Sequence, residues 1–359
     1  MGKSHEKIHP EEEERVSDYY VYVGLGGDTD PGRFWSAGLY RSRNGEGAWE
    51  SLGGKIHPMS RVFAILTDPE RRGRVTIGTD DGIWRSDDVG DSWRRLSAPK
   101  PELAVWSLAS HPHDPNTIFA GYEPCAIYRS TDDGSTWEKL PVNVTFPAVS
   151  DHPHIPKRII SIAVDPANPD EIYASLEVGG LLRSLDGGQS WVNLIDGLYI
   201  DEGSVDIHSV VVNPKRLGQL TVATRFGTFR SVDRGLHWHD LKAPLLRSIG
   251  SYCRALAYAP GDVETLYLAA GNDFDGDRGA LFVSRDDGAT WQQADLGIPL
   301  KTTIFGLAVN PYQPDHAFCS SKIGQVLYSY DRGKNWRVNP LPHAVGHVFA
   351  LAAADIANS

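Results

Sequence analysis

The sequence predicts an all-β chain of seven blades, each a sheet of four antiparallel strands, arranged as a ring around a central channel. Three observations predict this β-propeller: a short motif that recurs along the chain, the nearly constant spacing of its copies, and an apolar segment that precedes most of them. Length alone, at 359 residues, suggests about two domains. The repeat indicates a single ring instead.

The repeated motif has the pattern Ser-x-Asp-x-Gly-x-x-Trp. Its complete copies are Ser86–Trp93, Ser130–Trp137, Ser184–Trp191, Ser231–Trp238, Ser284–Trp291 and Ser329–Trp336, and a degenerate copy, Ser42–Trp49, has Asn44 in place of Asp. The tryptophans recur about every 48 residues, a length that suits a four-stranded blade. In such a turn the Asp accepts hydrogen bonds from backbone amides, the Gly adopts a positive φ, and the Trp covers the apolar side of the hairpin.

This motif is the Asp-box, and the chain resembles the BNR/Asp-box repeat propellers over nearly its whole length. In that family the boxes lie between the third and fourth strands of each blade, away from the face that usually carries function. The resemblance therefore implies that the boxes stabilise the fold. It also implies that the functional residues lie on the opposite, top face, where the innermost strand of each blade begins.

An apolar segment precedes each complete box and is predicted to form the innermost strand of its blade. These segments begin at Arg61, Ala104, Arg158, Asp206, Tyr252 and Thr303. The first blade has no such segment upstream, but His347–Asp355 (HVFALAAAD) resembles RVFAILTDP and follows the last box. We expect this C-terminal strand to complete blade 1 beside residues 19–26 and 37–42, which closes the ring without an exposed edge. The propeller then spans residues 19–359, after a disordered acidic tail, residues 1–18.

Composition excludes several classes of protein and partner. With 35 Lys+Arg against 46 Asp+Glu, the net charge is -11, which argues against nucleic acid as a partner. The N-terminal residues have no apolar segment of the kind a secretion signal needs. Three cysteines without a CxxC pair indicate neither a disulfide framework nor a thiolate zinc site. We therefore expect a cytoplasmic protein without a membrane partner.

Histidines concentrate before the predicted innermost strands, which places them near the top mouth of the channel. The candidate ligands of a divalent transition metal are His208, His347, His154 and His57. Imidazoles backed by carboxylates bind such metals, which can activate a water or polarise a carbonyl. The ligands would come from separate blades, so no local spacing identifies the site. Histidines that merely line a hydrated mouth are the alternative.

Charged residues of both signs are predicted at the same mouth. The catalytic candidates are Glu123, Glu177, Arg225 and Arg158, and the candidates for binding a small polar or anionic substrate are Arg61, Arg254, Lys322 and Tyr122. Guanidinium and ammonium groups would hold an anionic group of the substrate. Two long loops, residues 141–157 and 192–205, would either wall a pocket or form a protein-binding rim.

A further carboxylate cluster contains Asp273, Asp275 and Asp277 at alternate positions, as at the start of a calcium-binding loop. It lacks the Gly after the third Asp and the distal Glu of an EF-hand. A calcium site and a solvated loop are both open interpretations, and the solvated loop is favoured.

Three functions remain open. The mouth histidines favour a metal-assisted hydrolase or lyase. The resemblance also implies a non-catalytic scaffold that binds a protein on its top rim, like the Asp-box propellers that assist assembly of photosynthetic complexes. Asp-box sialidases and xyloglucan hydrolases imply a glycoside hydrolase that would use Glu123 and Glu177 as acid and base. The chain departs from the sialidases, since it lacks an Arg-Ile-Pro element and an assignable Tyr-Glu pair, and it has one propeller where the xyloglucan enzymes have two.

Overall fold

The structure, a computed structural model, describes residues 18–27, 37–56, 60–143, 157–194, 205–248, 250–342, 345 and 347–356. Almost all of the predicted acidic tail lies outside these residues, so that part of the domain organisation stays a prediction. In the described ranges the chain forms strands joined by turns. None of the segments described is a helix long and apolar enough to cross a lipid bilayer.

The strands follow one another in chain order. They are β1 (Tyr19–Gly26), β2 (Ala37–Arg43), β3 (Glu50–Ser51), β4 (Val62–Thr67), β5 (Val75–Thr79), β6 (Gly82–Ser86), β7 (Arg94–Arg95), β8 (Val105–His111), β9 (Asp114–Tyr122), β10 (Ala126–Ser130), β11 (Glu138–Lys139), β12 (Arg158–Val164), β13 (Ile172–Glu177), β14 (Gly180–Ser184), β15 (Val192–Asn193), β16 (Ile207–Val212), β17 (Leu220–Thr224), β18 (Thr228–Ser231), β19 (His239–Asp240), β20 (Tyr252–Ala259), β21 (Asp262–Gly271), β22 (Gly279–Ser284), β23 (Gln292–Gln293), β24 (Ile304–Val309), β25 (Ala317–Ser321), β26 (Val326–Ser329), β27 (Arg337–Val338) and β28 (Val348–Asp355).

These strands form seven antiparallel sheets of four, which confirms the predicted fold class. Blade 1 has the order β28-β1-β2-β3, and blades 2 to 7 take four consecutive strands each, from β4–β7 to β24–β27. The C-terminal strand β28 pairs with β1 along its length, with Val21 opposite Ala353. The ring is therefore closed by the pairing of β1 with β28, as the repeat pattern predicts.

The hydrophobic core lies between neighbouring blades. Between blades 7 and 1, for example, Val23 and Leu351 pack with Phe318, and all three side chains are buried. Each blade contributes its apolar strand faces to two such interfaces. This arrangement makes the ring itself the unit of folding, because a blade at a broken interface would expose one apolar face.

The six complete boxes form the predicted turns between the third and fourth strands. In blade 4 the Asp186 carboxylate accepts hydrogen bonds from Ser184 Oγ at 2.7 Å, from the Ser190 amide at 2.9 Å and from Ser190 Oγ at 2.6 Å. Trp191 Nε1 donates to the Gly188 carbonyl at 3.1 Å. The hydrogen bonds from Ser190 and then Ser184 lower the pKa of Asp186 to about 2.

The degenerate box of blade 1 is built differently. Asn44 stands at the Asp position but has a positive φ itself, and its Oδ1 accepts a hydrogen bond from the Tyr19 amide at 3.1 Å. Trp49 Nε1 donates to the Asn339 carbonyl of blade 7 at 3.0 Å rather than to its own turn. Asn339 Nδ2 in turn donates to the Gly47 carbonyl at 2.9 Å. The turn is thus stabilised by hydrogen bonds to the neighbouring blade. The Asn44 side chain does not accept the hydrogen bonds within the turn that the Asp accepts in the complete boxes.

A hydrogen bond links each complete box to the preceding blade. In blades 1 to 4 an arginine directly before the box serine donates through Nη1 to a backbone carbonyl in the next box: Arg41 to Val89 at 2.7 Å, Arg85 to Asp133 at 2.9 Å, Arg129 to Gly187 at 2.8 Å and Arg183 to Arg234 at 2.7 Å. All four acceptors belong to residues with positive φ. We call these contacts the interblade latches. At the closure, Tyr330 Oη makes the equivalent bond to the Asn44 carbonyl at 2.6 Å.

Candidate functional site

The innermost strand of every blade contains a β-bulge at the same position. The bulge inserts one residue that has no partner on the second strand, and such bulges often re-aim a side chain near a functional site. The seven inserted residues all line the central channel, and we call them the collar: Phe63, Trp106, Ile160, His208, Arg254, Phe305 and Phe349. Below the collar the channel encloses about 300 Å³.

Four consecutive blades contribute aromatic rings to the collar. Phe63 stacks on Trp106 with ring centroids 4.1 Å apart, and its edge meets Phe349 at 5.7 Å. Phe349 in turn lies 6.0 Å from Phe305. These rings form a continuous aromatic arc across blades 7, 1, 2 and 3.

The ends of the aromatic arc are joined by charged residues. The Arg158 guanidinium lies over the Trp106 ring at 4.2 Å, and the Arg254 guanidinium lies over the Phe305 ring at 4.8 Å. Glu177 connects the two cations, since its Oε2 is 2.9 Å from Arg158 Nε and its Oε1 is 4.0 Å from Arg254 Nη1. Stacking, cation–π contacts and ion pairs therefore form a closed circuit around the top of the channel.

The two predicted catalytic carboxylates come together as expected from adjacent blades. Glu123 follows β9, Glu177 ends β13, and both contact Arg158, with Glu123 Oε2 at 3.4 Å from Nε. The separation of the two Oε2 atoms cannot exceed these two contact distances combined. One guanidinium therefore holds the two carboxylates close together at the mouth.

His208 is the most buried polar member of the collar. Its Nδ1 lies 2.7 Å from the Cys253 carbonyl, so Nδ1 carries the proton, and its Nε2 lies 3.3 Å from Asp206 Oδ1. Burial alone would raise the pKa of Asp206, but His208, the Val178 amide and Arg254 together hold it below its ordinary value. Asp206 and His208 thus fix each other within the wall of the channel.

Several buried polar atoms of this site have no hydrogen-bond partner among the described residues. They are Arg158 Nε, Glu177 Oε2, Arg254 Nη1 and His208 Nε2. The Arg158, Glu177 and Arg254 atoms each lie near an oppositely charged atom but without the alignment of a hydrogen bond, and His208 Nε2 lies 3.3 Å from Asp206 Oδ1. An unmade hydrogen bond in a buried site costs about 1–3 kcal/mol. Any rearrangement that supplies hydrogen-bond partners to these atoms would therefore stabilise the side chains around Glu177.

Two other predicted binding residues lie around the collar with partners of their own. Arg61 binds Asp80 through Nε at 2.9 Å and lies over the Phe63 ring. Lys322 Nζ pairs with Asp275, lies 3.2 Å from the Phe274 carbonyl and lies 4.0 Å from the Phe274 ring. Both cations are therefore already neutralised at the mouth.

The last two predicted residues differ in position. Tyr122 is fully buried in the core between blades 2 and 3, where its ring packs against Tyr128 at 4.9 Å, so it is not exposed at the mouth. Arg225 is half-buried, and its guanidinium has no ion-pair partner within the described part of the chain. Its amide donates to the Asp206 carbonyl at 3.2 Å, which places it beside the collar.

The predicted metal ligands are only partly described. His57 and His154 lie outside the described residues, as do residues 144–156 and 195–204 of the two long loops. His347 contacts the Phe274 and Phe349 rings, whereas His208 faces Asp206. Among the described residues no three His, Cys, Asp or Glu side chains are grouped for metal binding. The transition-metal site stays a prediction.

The calcium-loop candidates have partners within the protein. Asp275 pairs with Lys322, and Asp277 Oδ1 accepts a hydrogen bond from Asn272 Nδ2 at 2.9 Å. Asp273 Oδ1 accepts a hydrogen bond from the Phe274 amide at 2.8 Å. These contacts fit the solvated-loop interpretation, and calcium binding remains untested.

The five apolar collar residues were not predicted as part of the site. A signal for them exists in the sequence, because the innermost segments align as RVFAILTDP, AVWSLASHP, RIISIAVDP, DIHSVVVNP, YCRALAYAP, TIFGLAVNP and HVFALAAAD. The third column of this alignment is the collar. It contains large side chains in every blade, whereas the fourth column contains only Ala, Ser and Gly.

The seven-bladed ring, the boxes and the residues of the top mouth define the class of this protein as an Asp-box β-propeller. Residues 45–350 match the family described as photosynthesis system II assembly factor YCF48. The match spans well over half of the sequence, so the chain belongs to this family, in agreement with the resemblance of its boxes.

Curated relatives include xyloglucan-degrading enzymes. The chain is 25% identical over 276 residues to a probable oligoxyloglucan-reducing end-specific xyloglucanase of Neosartorya fischeri, covering 63% of this chain and 32% of that protein. It is 25% identical over 193 residues to the oligoxyloglucan-reducing end-specific xyloglucanase of Emericella nidulans, covering 49% of this chain and 23% of that protein. The chain spans a third or less of the length of these relatives.

Solved structures show the same fold. A GH74 enzyme of Niastella koreensis superposes with a TM-score of 0.61 at 18% identity, covering 78% of this chain and 45% of that chain. YCF48 bound to a D1 peptide superposes with a TM-score of 0.58 at 19% identity, covering 90% of this chain and 89% of that chain. At these identities the likeness shows the fold alone.

Proposed function

We propose that this protein is a non-catalytic binding propeller that holds a segment of a partner protein against its top mouth. The observation that carries the proposal is that one guanidinium, Arg158, contacts both candidate catalytic carboxylates. Arg158 thus engages both carboxylates at once, whereas a general acid or nucleophile has to contact the reacting atoms of a substrate. The mouth therefore offers stacking surfaces and hydrogen-bonding groups that suit recognition.

The other potentially reactive groups near the mouth support this proposal. Burial raises the pKa of the Cys125 thiol to about 11 and that of the Cys253 thiol further. Burial likewise raises the pKa of the Tyr252 phenol. All three groups are neutral at pH 7, and a neutral thiol or phenol is a poor nucleophile or base. Membership of an assembly-factor family and the YCF48 structure with a bound peptide favour the same function.

A displayed library of random peptides, selected on the intact protein, tests this function. We expect enriched peptides whose affinity falls at least about tenfold on the Arg158→Ala variant, since that change removes the cation that joins Trp106, Glu123 and Glu177. Arg43→Ala is the matched control, because Arg43 also pairs with a carboxylate, that of Asp18, but within the degenerate box of blade 1 and away from the mouth. Enrichment of no peptide, or equal binding by both variants at unchanged folding, would exclude the proposal.

A glycoside hydrolase is the second candidate, favoured by the contact of Glu123 and Glu177 with one shared arginine and by the xyloglucanase relatives. In a retaining mechanism one of these carboxylates would attack the sugar and the other would protonate the leaving group. Release of reducing ends from xyloglucan oligosaccharides, lost in both Glu123→Gln and Glu177→Gln, would establish it. Activity that survives either substitution would exclude these roles.

The metal-assisted hydrolase or lyase acting on a small anionic molecule stays a prediction from the histidines. Its test is the metal content of protein purified without chelators or a histidine tag. A stoichiometric transition metal that is lost in His208→Ala but kept in His316→Ala would support it. His316 is the matched control because it is a half-buried histidine hydrogen-bonded to Tyr19, within the core between blades 7 and 1. The cytoplasmic location likewise stays a prediction.

A further inference from the structure

We propose that the top mouth recognises an aromatic residue followed directly by an acidic residue in the partner segment. The protein occupies this subsite with Phe274 and Asp275, at the apex of one of its own loops, and the partner displaces them. This inference rests on the proposed peptide-binding function and specifies the residues that the mouth recognises.

The first step of the argument is the loop itself. Residues 272–278 join β21 to β22 in blade 6, whereas the corresponding loops of blades 2, 3, 4, 5 and 7 have only two to four residues. The base of this longer loop is held by its own hydrogen bonds. The Asn272 amide donates to the Arg278 carbonyl at 3.2 Å, and Thr303 Oγ1 donates to the Asp273 carbonyl. The apex can therefore change position while the base stays in place.

The second step is the contact between the Phe274 ring and the top of the channel. The ring is half-buried and lies edge-on to three rings from blades 6, 7 and 1. Its centroid is 6.4 Å from that of Tyr252, 5.5 Å from that of Phe305 and 5.7 Å from that of His347. Phe305 belongs to the collar, so Phe274 extends the aromatic arc upward. Without Phe274, the three rings would offer a surface that suits one aromatic side chain.

The third step is the lysine under the apex. Lys322 Nζ lies 3.2 Å from the Phe274 carbonyl and 4.0 Å from the Phe274 ring centroid, and it pairs with the Asp275 carboxylate. The Lys322 side chain is 5% exposed, whereas the Asp275 side chain is 81% exposed. A buried ammonium needs a partner, but an exposed carboxylate is well hydrated after release. A displacing segment therefore has to supply a ring for the arc and a carboxylate for Lys322, in the order that the apex itself has.

An occupant that belongs to the same chain lowers the affinity of the partner. A group tethered by a short loop competes at an effective concentration of about 1 mM. Removal of the Phe274 ring should therefore strengthen binding of the partner segment. Removal of a residue that contacts the partner would weaken it, so the direction of the change distinguishes the two roles.

Peptides selected from a displayed library on the Phe274→Ala variant test the displacement. We expect Phe, Tyr or Trp followed directly by Asp or Glu, in peptides that bind the wild type at least about tenfold more weakly. Phe226→Ala is the matched control and should bind like the wild type, because Phe226 lies in the corresponding loop of blade 5, with the Arg247 guanidinium over its ring. Enriched peptides without this pair, or equal binding by the wild type and a folded Phe274→Ala variant, would overturn the inference and leave the peptide-binding function intact.

The contact with Lys322 is tested from both sides. Replacing the acidic residue of an enriched peptide with its amide should weaken binding at least about tenfold, and Lys322→Met should weaken binding of the original peptide to a similar extent. Lys55→Met is the control, because Lys55 pairs with Glu50 on the outer strand of blade 1. If Phe274→Ala does not fold, Asp275→Asn releases the apex with its ring intact and replaces that variant in both tests. Equal binding of the acidic and amide peptides would overturn the proposal.

Discussion

Asp206 and His208 show how a single pair can hold part of the mouth in place. The His208 side chain is wholly buried, and the Asp206 side chain is 9% exposed. Nδ1 of the imidazole is committed to the Cys253 carbonyl of the next blade. The pair therefore links blade 5 to blade 6 at the level of the collar, and it fixes the wall on which Arg254 lies.

We expect Asp206→Asn to lower the free energy of unfolding by about 1–3 kcal/mol at pH 7, since it removes a buried charged hydrogen-bond acceptor. The folded-state pKa of Asp206 is depressed. Its contribution is therefore fully present above the unfolded value of about 3.9 and is lost as the pH falls through the folded value. Urea unfolding at pH 7 and at pH 3 should show the difference between wild type and variant shrinking at the lower pH.

Asp80→Asn is the control for this comparison. Asp80 pairs with Arg61, whose side chain is 44% exposed, and exposed ion pairs contribute at most about 1 kcal/mol. A difference for Asp206→Asn that is as large at pH 3 as at pH 7 would contradict the assigned pKa direction.

The box is the element that repeats, and its aspartates give the fold a common dependence on pH. In all six complete boxes the pKa of the Asp is lowered, and hydrogen bonds from the residue before the Trp contribute in each. For Asp186 the bonds from Ser190 lower the pKa to about 2. For Asp331 burial opposes the bonds from Asn335, and the pKa is again about 2. Carboxyl groups whose pKa is lower in the folded than in the unfolded state stabilise the fold above about pH 4. This stabilisation is lost as the pH falls toward about 2.

The thermal unfolding midpoint should therefore be nearly constant from about pH 7 to pH 5 and fall steeply between about pH 4 and pH 2. Circular dichroism on heating checks this. Asp186→Asn should flatten the fall, because it removes one titrating group while an amide oxygen can still accept the Ser190 hydrogen bonds. Asn44→Asp in the degenerate box should not steepen it, because that turn lacks the equivalent donors. A midpoint that is independent of pH down to 2 would contradict the assignment.

The sequence predicts the elements well and the collar poorly, for a physical reason. The box and the innermost strand are each recognisable as a local sequence pattern. The order of the blades and the closure of blade 1 can therefore be predicted from the repeat. A β-bulge is a property of the pairing between two strands, and alternation along one strand does not reveal it. Tyr122 is a different case: it lies one position before Glu123, and the alternation of a regular strand turns its side chain into the interblade core. The sequence predicts that the charged residues at the strand starts lie at the mouth. It does not predict which carboxylates contact Arg158.

At the scale of the whole molecule, the ring depends on its last strand. β28 supplies the innermost strand of blade 1, and its apolar residues pack against blades 7 and 2. Removing it would expose the edge of β1 and apolar faces of two neighbouring blades. In a ring, such damage cannot be confined to one blade.

Truncation after Pro342 should therefore abolish soluble protein that unfolds cooperatively. The matched control is removal of residues 357–359 only, which keeps β28 and the hydrogen bond from the Ile356 amide to the Asp18 carbonyl. Expression, size-exclusion chromatography and thermal unfolding of the two truncations give the comparison. A cooperative transition in the longer truncation, equal to that of the full chain, would contradict the role of β28.

The Ile356 amide and the Asp18 carbonyl are 2.9 Å apart, so the first and last described residues of the propeller meet within blade 1. A short linker can therefore join them, and new termini can be opened in a loop between two other blades without removing a strand from any sheet. Such a circular permutant keeps every blade and every interblade latch while making the closure of blade 1 covalent. The ring can therefore be built with its termini in different blades, and no particular blade has to come first in the sequence.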